Sequence, residues 1–332
     1  MLSAGNGFIM QSEKYSRDNA GQSLKKYTLL KKGELAYNHG ASKAKQCGCC
    51  YQLEVDEALV PFVYHCFSVN KEYAPYVSTV LNISTTERQL KKLVSSSVRM
   101  DGLLNISYDD YMTVELALPS MDEQQKVSCF LSLLEEKIKK QQQLVEHLKK
   151  YKRGLLSFVF KDCSSWEVKP LGNLCRIRTG KLDANAMVAD GIYPFFTCAR
   201  ESYKIDTYAF DCDALLVSGN GANVGYIHHY CGKFNAYQRT YVLDGFNENI
   251  KYIQYFLEAF LSSRIDSEKK AGNTPYIVLG TLSEMDIFIP SMETQENIAT
   301  MLTSIDRRIN LEEQHYSHLT AIHKGIMQSI FI

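Results

Sequence analysis

Two stretches of the chain repeat one pattern of apolar and polar positions at a fixed distance. Across residues 122–160, apolar residues recur at alternating spacings of three and four, as in a heptad repeat. Shifted by 171 residues, the pattern returns, and its polar interruptions return with it: Gln141 corresponds to Glu312, and Lys152 to His323. The predicted seam residues are Leu131, Leu134, Ile138, Val145, Leu148 and Leu155 in the first stretch and Leu302, Ile305, Ile309, Tyr316, Leu319 and Ile326 in the second.

Each of these stretches predicts one long helix. Residues 122–160 contain no proline and one glycine, Gly154, and both stretches begin after Pro-Ser-Met with an acidic residue, Asp122 or Glu293. Proline and acidic residues suit a helix N-terminus. Roughly 40 residues of helix would extend about 60 Å, which is too long for one small domain to cover. We therefore predict that the two helices pack against each other as an antiparallel, coiled-coil-like pair.

A β-rich segment precedes each predicted helix. Between the helices, short apolar runs such as ALLVSG, TYVLDG and MDIFIP alternate with Gly and Asn, and one helical stretch, IKYIQYFLEAF, lies among them. The N-terminal part follows the same order. There YTLLKKGELAYNHG resembles DTYAFDCDALLVSGNG, VPFVYHCFSVN stands in the place of the IKYIQYFLEAF helix, and a strand in TVELALPSM leads into the long helix as EMDIFIPSM does. The predicted fold class is α+β, with two β-rich domains separated by two long antiparallel helices in a pseudo-two-fold internal repeat.

The repeat also predicts domain boundaries. We expect a first β-rich domain over residues 1–118, a first long helix over 119–161, a second β-rich domain over 162–289 and a second long helix over 290–332. Residues 164–190, which include WEVKPLGNLCRIRTGKL, have no N-terminal counterpart. The first domain is therefore expected to be incomplete at its N-terminus, with the missing piece supplied elsewhere.

In this order, these features resemble the specificity subunit of type I restriction-modification systems. The resemblance is carried by W…PLG…IxTG in residues 166–180, GELAYN in residues 33–38, the Pro-x-x-x-x-Gln-x-x-Ile/Val start of each helix, and Arg-Gly or Lys-Gly near each helix end. It implies two target-recognition domains, each of which reads half of a split double-stranded DNA site. It also implies that the helices set the half-site spacing and dock methyltransferase subunits, expected to be two, and through them indirectly a restriction and translocation subunit.

Residue chemistry selects candidate DNA contacts within such domains. Arg and Lys read guanine, Asn and Gln read adenine, and phosphates take Lys, Arg, Ser, Thr and backbone N–H groups. Ordinary solvated turns favour many of the same residues, so this alternative stays open. The candidates are Arg178, Thr179, Lys181, Ser218, Asn220, Asn223, Lys269, Lys270, Asn273, Thr274 and Tyr276 in the second domain, and Lys14, Tyr15, Asn38, His39, Ser42 and Lys43 in the first.

The motifs of an enzyme are not found. Gly219, Gly221 and Gly225 form GxGxxxG rather than GxGxxG, and the next run, YIHHY, predicts a strand where a nucleotide-binding loop requires a helix. The CGCC run at residues 47–50 lacks the paired spacing of a zinc site, so small thiols in or beside a strand are favoured. We expect no catalytic residue, no cofactor and no metal.

Composition and charge narrow the remaining possibilities. A chain of 332 residues that is 45% hydrophobic and 22% charged suits a two-domain globular protein. We find no signal-peptide pattern and no apolar run of the ~18 residues that a membrane span needs, so a cytoplasmic location, reduced thiols and no membrane contact are expected. The formal net charge of zero counts against tight DNA binding by this chain alone.

Two alternative functions stay open at this point. The chain could be a non-catalytic coiled-coil adaptor whose two β-rich domains bind protein, or a silent, truncated specificity allele. The loop lysines distinguish the adaptor from a DNA reader. Replacing Lys181, Lys269 and Lys270 with Glu should abolish association with DNA only if the loops contact DNA.

Overall fold

The computed structural model describes residues 2–3, 7–10, 25–43, 45–94, 104–161, 163, 165–268 and 276–331. Strands and helices are both present, so the predicted α+β class is confirmed. Contacts divide the chain into a first unit, residues 1–141 with 316–332, and a second unit, residues 142–315. Each long helix therefore contributes to both units. The predicted domain boundaries stay a prediction.

The described elements follow the chain in this order. The strands of the first unit are β1 (Leu2–Ser3), β2 (Gly7–Phe8), β3 (Thr28–Lys31), β4 (Leu35–Asn38), β5 (Cys49–Gln52), β6 (Glu57–Val60) and β7 (His65–Phe67). Those of the second unit are β8 (Glu167–Pro170), β9 (Arg176–Thr179), β10 (Tyr193–Phe196), β11 (Tyr203–Ile205), β12 (Phe210–Ser218), β13 (Ile227–Ala236), β14 (Thr240–Asp244) and β15 (Asp286–Ile289). The helices are α1 (Ala74–Val80), α2 (Ser84–Leu93), α3 (Tyr108–Met112), α4 (Met121–Val159), α5 (Ile250–Glu268), α6 (Leu279–Ser283) and α7 (Met292–Ile330).

A six-stranded sheet in the order β11-β10-β13-β12-β14-β9 forms the centre of the second unit. Strand β12 is buried on both faces. Leu215 and Val217 pack into the core that contains α5, whereas Ala214 and Leu216 face a second apolar cluster. Burial on both faces explains why this strand is a continuous apolar run in the sequence instead of an alternating one.

The first unit repeats the middle of this sheet. Its order β5-β4-β7 corresponds to β13-β12-β14, and Leu35 and Tyr37 of β4 face one core while Ala36 faces another. The predicted equivalence of GELAYNHG and ALLVSGNG therefore agrees with the sheet order. The prediction that VPFVYHCFSVN replaces a helix is wrong, because its HCF run pairs with β4 as strand β7. The helix at that place is α1, which begins one residue before Pro75.

A buried glutamine ties the start of α4 to the first unit. The side chain of Gln124 is fully buried. Its Oε1 accepts a hydrogen bond from the backbone N–H of Tyr73 at 3.0 Å, and its Nε2 donates to Glu72 Oε2 and to the carbonyl of Pro119. The side-chain amide of Gln124 therefore links Tyr73, which precedes α1, with Glu72 and with Pro119, which precedes α4.

Gln295 makes the same three contacts at the start of α7. Its Oε1 accepts from the backbone N–H of Asn249 at 3.0 Å, and its Nε2 donates to Glu248 Oε2 at 2.8 Å and to the carbonyl of Pro290 at 3.0 Å. The repeated Pro-x-x-x-x-Gln motif is therefore one structural device used twice. It fixes the direction in which each long helix leaves its unit.

The long helices run antiparallel within each unit, as predicted. Lys152 Nζ lies 2.7 Å from Asp306 Oδ1, and His323 Nε2 approaches Glu135 Oε1 at 3.5 Å. Under the 171-residue offset, Lys152 corresponds to His323 and Glu135 to Asp306. The same contact is therefore made twice, once from each helix to the other. Burial alone would lower the pKa of Lys152, but Glu258 and Asp306 outweigh it and raise that pKa. All the predicted seam residues are buried or half-buried.

The strand predicted in TVELALPSM is not formed, which corrects the sequence-based expectation. Residues 114–120 have no regular secondary structure. In the second unit the corresponding strand, β15, pairs with β8, with Ile287 opposite Lys169. Strand β8 belongs to the segment that has no N-terminal counterpart, so residues 114–118 have no strand beside them among the described residues. A strand without a partner leaves its backbone groups unpaired.

Other sequence-based expectations concern the glycine loop, the thiols and the membrane. Strand β13 follows the GxGxxxG loop, so the strand predicted there is confirmed.

Cys47, Cys49 and Cys50 are buried in or next to β5, and burial raises the pKa of Cys49 to about 11. Within the described residues, no group of three or more potential ligands could hold a metal ion. None of the described helices has the length and apolar character to span a membrane.

The buried glutamine leads to a stability prediction. Replacing Gln124 with Ala removes three hydrogen bonds and leaves the N–H of Tyr73 and the carbonyl of Pro119 without their partner. An unsatisfied buried polar group costs roughly 1–3 kcal/mol, so we expect the free energy of unfolding to fall by about 2 kcal/mol. Urea denaturation followed by circular dichroism would measure it. The matched control is Gln125→Ala, an exposed neighbour that should change stability by less than about 0.5 kcal/mol. Equal losses for both variants would contradict this prediction.

Candidate nucleic-acid interface

Three segments of the second unit meet at the turn between β13 and β14. The backbone N–H of Gly180 donates to the carbonyl of Thr240 at 3.3 Å, and that of Gly219 donates to the carbonyl of Arg239 at 2.8 Å. The N–H of Ile277 then donates to the carbonyl of Gly219, also at 2.8 Å. These bonds bring two of the predicted DNA-contact loops, RTGK and SGNGANVG, beside the residue that follows Tyr276.

Gly180 is required for this convergence. A Cβ atom at this position would lie 1.9 Å from the carbonyl oxygen of Ala236, so only glycine allows the backbones to approach. Just beyond it, the carbonyl of Leu182 accepts a hydrogen bond from the N–H of Gln238 at 2.9 Å. The exposed Lys181 therefore sits on a loop that is held at both sides.

The convergence creates a polar surface with two cationic side chains. The side chains of Lys181, Gln238 and Arg239 are exposed, Tyr276 is 57% exposed, and Asn220 forms a β-bridge with Tyr276. A cavity of about 310 Å³, lined in part by Gln238 and Arg239, opens between these segments. We call this surface the loop face; its residues are Thr179, Lys181, Asn220, Gln238, Arg239 and Tyr276.

Two predicted contacts, Arg178 and Ser218, are buried or paired within the sheet and lie outside the loop face. Arg178 forms an ion pair with the fully buried carboxylate of Asp244, and its guanidinium lies 5.0 Å from the ring centroid of Phe210. Its charge is thus already matched within the sheet. Ser218 is fully buried, so its hydroxyl does not reach the surface. We leave Arg178 and Ser218 out of the proposed contact surface for these reasons.

Asn223 has a supporting position beside the loop face. Its Nδ2 donates to the carbonyl of Cys198 at 3.0 Å, and its Oδ1 accepts from Nε of Arg200 at 3.4 Å. The exposed Arg200 also stacks on Tyr226, with 5.5 Å between the guanidinium carbon and the ring centroid. Asn223 therefore links a further surface cation to the glycine loop.

Sequence reasoning missed Arg200, Gln238 and Arg239. The signal for two of them was present, because Gln238-Arg239 is an amide–cation pair between two predicted strands, in NAYQRTYV. The same criterion had selected the other loops. Arg200 gives no such signal, because only the fold places its loop beside Asn223.

The candidates of the first unit make mostly local contacts. Asn38 Oδ1 accepts from a backbone N–H two residues later, and Ser42 Oγ accepts from the N–H of Lys45 at 3.1 Å. Both patterns are those of ordinary turns. His39 is only 6% exposed, whereas Ser42 and Lys43 are exposed.

The remaining candidates lie outside the described residues. Their role in DNA contact stays a prediction. These candidates are Lys14, Tyr15, Lys269, Lys270, Asn273 and Thr274.

Comparison with known proteins identifies the stretch that carries the loop face. A family profile described as "Type I restriction modification DNA specificity domain" matches residues 164–321. The match covers slightly less than half of the chain, so residues 164–321 are similar to a type I restriction modification DNA specificity domain. The resemblance stated from the sequence is thereby confirmed, and Lys181, Asn220, Gln238, Arg239 and Tyr276 all lie inside the matched stretch.

Relatives and solved structures agree with this assignment. The chain is 35% identical over 165 residues to the type I restriction enzyme EcoDI specificity subunit of Escherichia coli; the alignment covers 50% of this chain but only 36% of that protein. It is 24% identical to the putative type I specificity subunit S.MpnORF365P of Mycoplasma pneumoniae, covering 62% of this chain and 80% of that protein. The fold resembles the crystal structure of a type I restriction-modification S subunit from M. genitalium, with a TM-score of 0.63, 16% identity, and coverage of 93% of this chain and 85% of that one.

The fold of the second unit also depends on Gly180, which leads to a second prediction. Gly180→Ala should lower the free energy of unfolding by about 1–3 kcal/mol, because the added methyl group forces the two backbones apart. Thermal and urea unfolding would measure the change. The matched control is Gly154→Ala in α4, where an added Cβ meets nothing within 4 Å. That change should stabilise the helix by about 0.5–1 kcal/mol. A Gly180→Ala protein as stable as the native chain would contradict the proposed close packing.

Proposed function

We propose that this chain is a DNA sequence-specificity subunit of a type I restriction-modification complex in the cytoplasm. It has no catalysis of its own: its two units read the halves of a bipartite double-stranded DNA site, and its long helices carry two methyltransferase subunits. A restriction and translocation subunit joins through those subunits. The observation that carries the proposal is the loop face, which presents cationic, amide and aromatic side chains within a DNA specificity domain.

The side chains of the loop face suit contacts with both bases and phosphates. Lys181 and Arg239 can donate to guanine or phosphate oxygens, and Asn220 can pair with adenine. Gln238 Nε2 already donates to Asp183 Oδ1 at 2.8 Å, so Gln238 has a supporting role. The loops project from the ends of sheet strands, so a rigid scaffold positions them. Which bases they read depends on DNA shape as well as on these contacts.

Joining two recognition units in one chain explains how modest contacts can give specific binding. Once one unit holds its half-site, the other unit meets its own half-site at a high effective concentration. The net charge of zero fits this scheme if the methyltransferase subunits supply further phosphate contacts. The chain alone should therefore bind duplex DNA weakly.

Exposed apolar residues on the long helices support two equivalent docking surfaces. They recur at the same positions of the two helices, separated by 171 residues. Large apolar side chains exposed at repeated positions indicate a contact surface for another protein. Because the surface occurs twice, we infer two copies of one partner. The pairs are Met121 with Met292, Phe130 with Met301, and Tyr151 with Ile322.

The DNA-binding role leads to a charge-reversal prediction. In a complex with its methyltransferase subunits, the double variant K181E/R239E should bind its DNA site on the order of 100-fold more weakly, because two cationic contacts are lost and reversed. The dependence of affinity on salt should also decrease, by about 0.9 in the slope for each phosphate contact removed. Fluorescence anisotropy with labelled duplex would measure both.

The matched control for this experiment is Lys233→Glu. Lys233 is exposed in the same unit, opposite Asp211 and seven residues along β12 from Ser218. At about 3.3 Å per residue it lies roughly 23 Å from the loop face, so its reversal should have little effect. If K181E/R239E bound DNA as tightly as the Lys233→Glu protein, the adaptor function would be favoured instead.

The docking surfaces lead to a stoichiometry prediction. Phe130→Asp should weaken the docking of one methyltransferase subunit and Met301→Asp that of the other, because each places a charge on an apolar contact. Native mass spectrometry should then find complexes with one methyltransferase subunit for each single variant and none for the double variant. The control is Gln143→Asp, at an exposed polar position of α4. Retention of both subunits by the double variant would reject these surfaces.

A further inference from the structure

In the first unit, no strand of the described residues pairs with the apolar segment at residues 114–118. Under the 171-residue offset, Leu116 and Leu118 correspond to Ile287 and Ile289 of β15. Ile287 is 0% exposed and Ile289 is 7% exposed; both pack into the core of the second unit, and β8 pairs beside them. Leu116 and Leu118 are only half-buried. The same apolar positions thus occur in both units, but among the described residues a strand pairs beside them only in the second.

The backbone geometry of β15 shows which atoms of residues 114–118 are available for pairing. In the second unit, the N–H of Leu171 donates to the carbonyl of Met285 across the two strands. Hydrogen-bonded positions alternate along an antiparallel pair, so 285, 287 and 289 direct their backbone groups towards β8. The corresponding positions in the first unit are 114, 116 and 118.

The opposite edge of this segment is already occupied. Gln89 Nε2 donates to the carbonyl of Glu115 at 2.8 Å, and the N–H of Glu115 donates to Gln89 Oε1 at 3.0 Å. Within the described part of the chain, the backbone groups of Leu116 and Leu118 form no hydrogen bond. One edge is therefore held in an extended conformation by a side chain, while the other is open.

An apolar groove runs beside the open edge. Its volume is about 710 Å³, and Tyr76 and Phe331 line it with ring centroids 5.7 Å apart. In the second unit the corresponding ring pair is Phe160 and Tyr252, at 5.9 Å, and Trp166 packs against Tyr252 just before β8 begins. Both units build the floor of this groove, and in the second unit Trp166 and β8 lie beside it.

We propose that the groove along residues 114–118 binds an extended segment of another polypeptide, which pairs antiparallel with it as β8 pairs with β15. The second unit gives the chemistry of that segment: an aromatic residue followed by a short strand, with the pattern WEVKPL of residues 166–171. In the register of β15, the position of Lys169 lies opposite Leu116, and that of Glu167 lies opposite Leu118. Main-chain bonds would give affinity, and the aromatic pocket would give selectivity.

A second copy of this chain is not the expected occupant. In each copy residues 167–170 are already paired with 286–289 of the same unit. Their release would uncover Ile287 and Ile289, both of which are buried. We therefore assign the groove to a segment of a different polypeptide. This inference does not depend on DNA binding.

A labelled peptide of residues 164–174, SSWEVKPLGNL, tests the proposal with the full chain. Fluorescence anisotropy should show saturable binding, and hydrogen exchange at Leu116 and Leu118 should slow at least about tenfold when the peptide is bound, since both amides become paired. A peptide N-methylated at Lys169 should lose binding, because that amide faces residue 116. The same peptide N-methylated at Val168, whose amide faces away, should still bind.

Substitutions in the chain provide the second arm of the test. Leu116→Asp should weaken peptide binding at least about tenfold, whereas Leu59→Asp, at an exposed leucine of the same unit, should not. Circular dichroism would verify that both variants are folded. Absence of saturable binding, or equal binding of the two N-methylated peptides, would overturn the proposal. Sedimentation that shows a dimer lost in Leu116→Asp would assign the groove to a second copy and would also overturn it.

Discussion

The structure depends on the junction at which a β-rich segment passes into a long helix. At each junction one buried glutamine, Gln124 or Gln295, bonds to the proline before the helix and to the backbone at the start of a shorter helix. A side-chain amide can satisfy these groups together only in one geometry, so it fixes the direction of the long helix. Any spacing function of the helices requires that direction to be fixed twice, and the motif is accordingly repeated.

The sequence predicted the repeated parts of the fold well, because hydrophobic periodicity and its 171-residue offset are local signals. The prediction failed where the secondary structure of a segment depends on the strand that lies beside it. Residues 65–67 have no strong preference of their own and become strand β7 because β4 lies beside them. Residues 114–118 have the alternation of a strand, yet form none, and no strand in the described part of the chain lies beside them. Whether a segment forms a strand depends also on the strand that pairs with it, and the sequence of the segment alone does not identify that partner.

The candidate site likewise contains features that the sequence predicted and features that only the structure reveals. The loops with Lys181 and Asn220 were predicted from residue types, and backbone bonds bring them together at the turn with Arg239. Residue type alone could not separate Arg178 from Lys181, although one is paired with the buried Asp244 and the other is exposed. Only the sheet register, which places Arg178 opposite Val242, determines that difference.

Docking along residues 114–118 and the proposed DNA contacts of the first unit would be coupled by chain connectivity. In the second unit, β8 leads directly into β9 and then into the loop of Lys181, so the strand that covers the groove belongs to the segment that supplies part of the loop face. The first unit already repeats the other half of this arrangement, because the N–H of Leu104 donates to the carbonyl of His39 as that of Ile277 does to Gly219. A segment that docks along residues 114–118 and continues as β8 does would bring its own loop to that position. Sequence preference in the first unit would then be determined in part by the polypeptide that fills the groove.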